Sequence, residues 1–252
     1  MAAVPAAKNG GQVLLLEKNE KLGKKLFITG KGRCNITNAA EIEEFFSAVV
    51  SNPKFLYSSF YSFTNDQVID FFEKLGVQTK VERGGRVFPA SDHSSDVIRA
   101  LEREMGRLGV KIRLRTEVKE LIVEDGTVKG ALLSSGKKLY ADAVIITTGG
   151  VSYPSTGSTG DGYRFARECG HKVTELLPSL VPMEVKEWYA KELMGLSLRN
   201  IEILITDGKK KLYREFGEMM FTHYGVTGPV ILSASSIVGK RLKGKGLTLH
   251  ID

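Results

Sequence analysis

Apolar and polar positions along the chain fall into short segments whose period changes several times. The Ala-rich opening reads as a helix with Gly10 and Gly11 past its end, and Gln12 to Leu16 is a short apolar run closed by Glu17. This is the second half of a βαβ unit, since a strand apolar on both faces needs parallel neighbours. Lys18 to Asn38 interrupts the pattern with a loop rich in glycine and base. Helical spacing returns over Glu41–Val50 and Asp66–Leu75, where Val68, Ile69, Phe72 and Leu75 share a face and Gly76 is the stop. Ser95 is the expected cap of a third helix, with Val97, Ile98, Leu101, Met105 and Leu108 as its buried stripe and Gly109 as its end. From Val110 to Tyr140 the period shortens to two. Ile112/Leu114, Val118–Val123 and Val128–Leu133 predict strands, with Asp125-Gly126 and Ser135-Gly136 as hairpin turns. Ala143–Thr147 is another apolar strand, running into Thr148-Gly149-Gly150, and the glycine loop Ser152–Gly162 then opens a helix that closes near Gly170. Pro178 and Pro182 mark a crossing; Ser197–Thr206 and the region after Lys211 read as antiparallel strands about an Asp207-Gly208 turn. The expected boundary is near Leu177, dividing residues 1–177 from 178–252.

Composition narrows the class. A chain of 252 residues that is 42% hydrophobic and 26% charged has ordinary globular values and can bury a core, so overall disorder is excluded. No apolar run approaches the roughly 18 residues of a membrane span, and the N-terminus lacks the apolar stretch of a secretory signal. Cys34 and Cys169 make no disulfide framework, so the expected setting is the reducing cytoplasm. The charge balance, 36 − 29 = +7, favours anionic partners such as a dinucleotide, RNA or phosphate. Glycine is the outlier at 27 of 252 residues, above the usual ~7% and without a repeat to explain it.

Those glycines gather beside residues that carry chemistry. Glu17, at the C-terminal end of a short apolar strand, stands where a dinucleotide fold accepts an adenosine ribose hydroxyl. In Gly30-Lys31-Gly32-Arg33-Cys34-Asn35-Ile36-Thr37-Asn38, Gly30 and Gly32 allow close backbone approach and Arg33 offers a fork of donors to phosphate. Asn35, Thr37 and Asn38 can bond a ligand or hold the loop. Thr148-Gly149-Gly150 can pass beside a flat cofactor. Thr156 to Gly162 precedes a helix whose first N–H groups suit an anion or a carbonyl oxygen, or simply form a cap.

Together these pieces resemble a known family. Leu15-Leu16-Glu17-Lys18-Asn19-Glu20-Lys21-Leu22-Gly23-Lys24-Lys25 and the 30–38 block are similar to the first signature of the bacterial BaiN-like flavoproteins, also called aminoacetone-oxidase-type NAD(P)/FAD-dependent oxidoreductases. Thr148-Gly149-Gly150, Tyr153-Pro154 and Thr156 to Tyr163 resemble the second signature; Gly217 to Pro229, with Phe221-Thr222-His223-Tyr224, resembles the third. The resemblance implies an α/β fold: a Rossmann-like FAD/NAD(P)-binding domain of the two-dinucleotide-binding type with an inserted, largely β substrate domain. It implies that Glu17 takes the ribose, that Lys18, Lys25, Gly30, Gly32, Arg33, Cys34 and Asn35 lie along FAD, and that the Val118 backbone meets adenine. Thr148, Gly149, Gly150 and Tyr153 would run beside the cofactor, with Thr159, Gly160 and Asp161 near the flavin ring. Members of that family open with a strand and a Gly-x-Gly-x-x-Gly turn that do not occur here, so the resemblance implies a chain cut at both ends, with both domains incomplete.

Several residues stay open at this level. Cys34 beside an arginine reads either as a reactive thiol near the flavin or as a small buried side chain, and Cys169 as helix packing. His223 reads as a proton donor to substrate or as a surface-loop residue. Lys209-Lys210-Lys211 and Lys240-Arg241-Leu242-Lys243-Gly244-Lys245 read as an RNA-binding patch or as solvated surface. No metal-ligand spacing and no phosphate-binding Gly-x-x-x-x-Gly-Lys motif is present. The expected activity is hydride transfer between NAD(P)H, FAD and a small-molecule substrate, with no metal and no membrane partner. The alternatives are flavin-dependent reduction of an RNA base of the uridine type, or a non-catalytic remnant.

Overall fold

Glycine stops and polar caps divide the first 173 residues into short elements. In the computed structural model, which describes residues 1–241 and 246–252, they begin with α1 (Ala3–Lys8), β1 (Leu14–Leu16), α2 (Lys24–Ile28), β2 (Thr37–Asn38), α3 (Ile42–Ala48), α4 (Tyr57–Ser62) and α5 (Asn65–Lys74). They continue with β3 (Thr79–Glu82), β4 (Arg86–Pro89), α6 (Ser94–Arg107), β5 (Lys111–Arg113), β6 (Val118–Glu124), β7 (Thr127–Leu133), β8 (Lys138–Tyr140) and α7 (Asp161–Glu168). One compact unit spans Met1–Val173 and a second spans Thr174–Asp252.

β1 and β5 pair in parallel, Leu14 opposite Lys111, so the α/β class read from the sequence holds in the first unit. Val4 of α1, Met105 of α6 and Val110 are buried together beneath this pair, with Leu15 and Leu22 against them. A charge fixes the same helix contact. The 7%-exposed Glu104 carboxylate of α6 meets Lys8 of α1 at 3.1 Å and Arg107 at 2.8 Å. Arg107 and then Lys8 hold its pKa at about 2 against an ordinary 4.5. A lowered carboxyl pKa contributes stability that is full above about 4.5 and lost as pH falls towards 2. Glu104→Gln is therefore expected to lower stability at pH 7 and to match the parent near pH 2, as read by urea unfolding at both values. An equal deficit at both would show that the charge is not what matters.

Thr64 opens α5 with a complete capping box, its hydroxyl accepting from the Gln67 N–H while the Gln67 side chain accepts from the Thr64 N–H. The cap expected at Ser95 is corrected. α6 begins at Ser94, whose hydroxyl instead donates to the Phe27 carbonyl at 3.0 Å and ties α6 to α2. Cys34, Phe72, Val77, Val97 and Ala100 form the core on this side. A sheet ordered β2-β4-β3, turning on Gly84-Gly85 at φ +78° and +71°, was not anticipated, although a Gly-Gly pair between Val81 and Val87 is a hairpin signal. The β6-β7-β8 meander follows its pattern.

The strand expected at Ala143–Thr147 does not form: residues 141–149 are exposed throughout, Ile145 to 63%, and none joins a ladder. An apolar run encodes a demand for burial. A strand also needs a hydrogen-bonding neighbour, and none of the described residues supplies one.

The second unit comprises β9 (Met183–Glu184), α8 (Tyr189–Glu192), β10 (Ser197–Asp207), β11 (Lys210–Phe221), β12 (Gly225–Thr227), α9 (Pro229–Val238) and β13 (Thr248–Ile251). Its antiparallel sheet runs β13-β10-β11-β12-β9. Ile203, Ile205, Met219, Val226, Val230, Ile231 and Ala234 make one core between sheet and α9. Reading everything after Lys211 as strand is corrected by α9: Pro229 has no N–H for a ladder and a φ suited to the first turn of a helix. Of the basic run at 240–245, residues 242–245 lie outside the described residues.

Candidate functional site

The loop after α2 turns sharply through left-handed backbone, with φ of +56° at Gly30, +58° at Lys31, +88° at Gly32 and +64° at Cys34. Its side chains are largely committed inward. The Arg33 guanidinium forms a two-pronged ion pair with Glu82 (3.0 and 2.8 Å), lies 3.3 Å from Asp92, and stacks 4.0 Å over Phe88. Arg33 therefore joins the loop to β3 and β4. Oriented to donate, the Asn35 amide reaches the carbonyls of Thr37 (2.9 Å) and Val87 (3.1 Å). Asn38 donates to Gly84 and accepts from Ala40 N–H. Cys34 is 1% exposed, and burial pushes its thiol pKa up against a hydrogen bond from Thr29, so the geometry is that of a packed side chain. The groups this loop leaves to a ligand are the Gly30–Gly32 backbone and the exposed Lys31.

The second glycine loop comes to the end of β1. Lys18 Nζ pairs with Asp161 at 2.7 Å and also donates to the Thr159 hydroxyl. Asn19 Nδ2 donates to the Thr156 carbonyl (3.0 Å) and to Glu17 Oε1 (2.8 Å), which also accepts the Asn19 N–H (2.8 Å). Lys25 Nζ donates to the Ser152 carbonyl (3.0 Å) and hydroxyl (2.9 Å), and sits 4.4 Å over the Tyr153 ring. Gly157 is required: at φ +96°, a Cβ there would lie 2.6 Å from Asn19 Nδ2. Thr148 to Gly150 pack back on the same loop, Gly149 against Ser158, Gly150 against Tyr163 and Thr148 against Gly162. Gly160 is the cap of α7 and Asp161 its first residue. Burial alone would raise the Asp161 carboxyl, but Lys18, Thr159 and Arg164 outweigh it and hold the group below its ordinary value. With that carboxylate at the start of α7, the helix end is already supplied with an anion.

The structure thus brings Glu17, Lys18, Lys25, Thr148, Gly149, Gly150, Tyr153, Thr159, Gly160 and Asp161 into one neighbourhood, and links Gly30 to Asn35 with β3 and β4. Val118 lies in β6 opposite Leu133. In the second unit His223 is exposed in the turn between β11 and β12, edge-on to Tyr224 at 4.5 Å, and Thr222 Oγ1 accepts from Gly225 N–H. Asn19, Ser152 and Glu82 were not foreseen as parts of the site; their roles depend on partners 137, 127 and 49 positions away along the chain. Among the described residues there is no cluster of three or more metal-ligating side chains and no helix long and apolar enough to cross a membrane.

Comparison with known proteins bears on the family and the fold. Residues 1–243 match the family described as HI0933-like protein Rossmann domain. The chain is 34% identical to a 3-dehydro-bile acid delta(4,6)-reductase of Clostridium scindens, over 100% of this chain and 61% of that protein. It is 32% identical to a ribosomal RNA dihydrouridine synthase of Escherichia coli, over 92% of this chain and 56% of that one. The chain therefore spans about three fifths of the length of these relatives. In structure, a flavocytochrome c3 fumarate reductase in its open conformation matches 79% of this chain and 44% of its own at a TM-score of 0.51 and 20% identity, a likeness of fold.

Proposed function

Because the chain belongs to the family of HI0933-like proteins with a Rossmann domain, we propose that it serves as an FAD-dependent oxidoreductase. The observation that carries this reading is the meeting of the 148–161 glycine loop with residues 17–25 at the C-terminal end of a parallel strand, where open α/β sheets bind their ligands. The residues fit a dinucleotide. Glu17 engages only Oε1 among the described residues, leaving Oε2 to accept a ribose hydroxyl. The Lys25 ammonium meets neutral acceptors and no carboxylate among the described residues, so its charge remains available to a phosphate. Of the loop glycines, Gly32 has open space where a side chain would stand, so its backbone is accessible to a ligand. Arg33 and Asn35 shape the loop from behind, Cys34 packs it, and the Val118 backbone is assigned to adenine. Bound FAD would supply hydride transfer; the chain supplies its seat.

We assign residues 1–177 to the cofactor and 178–252 to a substrate domain, with NAD(P)H as the donor, a cytoplasmic setting, and His223 as the group that gives a proton to substrate. The 3-dehydro-bile acid named as substrate of the Clostridium scindens relative supports a small-molecule substrate. Purified protein should be yellow, and His223→Asn should keep flavin reduction by NAD(P)H while slowing substrate turnover by roughly 10²-fold or more. A colourless protein that ignores added FAD would sink the reading. A second reading, reduction of an RNA base, is favoured by exposed Lys209, Lys210 and Lys211 at the β10–β11 turn and by the name of the Escherichia coli relative. Binding to structured RNA that falls steeply with salt would select it.

A further inference from the structure

Residues 143–161 have an unusual means of attachment. Their apolar start is exposed and joins no sheet, and their backbone bonds are internal, such as Gly160 N–H to Gly150 O. Among the described residues, every hydrogen bond between this segment and the chain before it is donated by Lys18, Asn19 or Lys25. Two of the donors, Lys18 and Asn19, follow β1 and the third, Lys25, lies in the first turn of α2; their acceptors run along the loop at Ser152, Thr156, Thr159 and Asp161. At the far end α7 is held independently, by the buried Phe165 and by Arg164 on the Lys119 carbonyl.

We infer that Lys18, Asn19 and Lys25 form a three-point clamp that positions the glycine loop 149–161 over the C-terminal end of β1. This rests on the flavoprotein reading for its purpose, and it divides the labour of the two lysines. Lys18 is neutralised by Asp161 and spends its hydrogen bonds on the loop, so it is a positioning residue. Lys25 pins Ser152 and Tyr153 and carries unneutralised charge to the same place. The position of Gly157 belongs to the device, since any side chain there would push Asn19 out of the clamp.

The test is amide hydrogen exchange on the unliganded chain and on Lys18→Met, Lys25→Met and Lys18→Arg, paired with FAD titration followed by flavin fluorescence. Peptides covering 149–161 should exchange about tenfold faster in both methionine variants, with α5 and α6 peptides unchanged, and Lys18→Arg should restore slow exchange. FAD should bind both methionine variants about tenfold more weakly while reaching the parent's spectrum at saturation. Parent-like exchange in the methionine variants would overturn the clamp. A loosened loop that binds FAD at the parent's affinity would overturn its positioning role. Failure of the parent itself to bind FAD would instead overturn the flavoprotein reading, and the exchange result would still decide the clamp.

Discussion

Gly30→Ala is expected to destabilise the first unit by about 2–4 kcal/mol and to strip the protein of flavin. The backbone at Gly30 has φ +56°, where an alanine costs roughly 1 kcal/mol. The added Cβ would stand 2.8 Å from the Asn35 amide nitrogen and 2.9 Å from Phe88 Cε1. Neither neighbour can yield cheaply. Asn35 is main chain in the same tight loop, and Phe88 is 3% exposed beneath the Arg33 guanidinium, so overpacking adds roughly 1–3 kcal/mol. Moving Phe88 would also disturb the ion pairs from Arg33 to Glu82 and Asp92 that bind the loop to β3 and β4. Urea unfolding and the flavin content of the purified variant measure the two effects. A variant with parent-like stability would show that the 29–35 loop relaxes freely.

Ile231→Ala should cost about 2–5 kcal/mol in the second unit, the range for truncating a buried isoleucine that leaves a cavity. Ile231 is 0% exposed in the core between α9 and the sheet, and among the described residues the unit has no second buried cluster. Against an ordinary domain stability of roughly 5–15 kcal/mol this is a large fraction. Met219, Phe221 and Val226 in the same core hold the two strands that carry the His223 turn. Urea unfolding is therefore expected to show a lowered midpoint, and substrate turnover to fall with it, because the same core holds the strands on either side of His223. A parent-like midpoint would show that the core closes around the smaller side chain.

The features that local pattern could reveal were those whose cause is local. The helix over Asp66–Leu75 with its Gly76 stop, the Asp125-Gly126 and Ser135-Gly136 turns and the α6 stripe through Val97 and Met105 depend on residues within one or two turns of each other. Ser94 eluded that reading because its hydroxyl answers to Phe27, 67 positions away. The 143–147 segment eluded it because apolar content cannot say whether a neighbouring strand is present. The site divides in the same way. Its glycines and Glu17 stand out in the sequence as chemistry looking for a ligand, and Lys25 entered only through the family resemblance. That Arg33 is committed to Glu82, or that Lys18 is matched by Asp161 and Thr159, depends on partners 49 and more than 140 positions distant.

By itself, the sequence determined the α/β class of the first unit, its glycine turns and which residues carry groups capable of bonding a ligand. Those follow from backbone freedom, periodicity and functional groups, which each residue carries wherever it is placed. The tertiary structure alone decided which of those groups are still free. Hydrogen bonds and ion pairs saturate, so the donors of Arg33, Asn35 and Lys18 that are spent on protein acceptors are not free for a ligand. Only the folded positions of Glu82, Val87 and the 152–161 loop determine where those donors are spent.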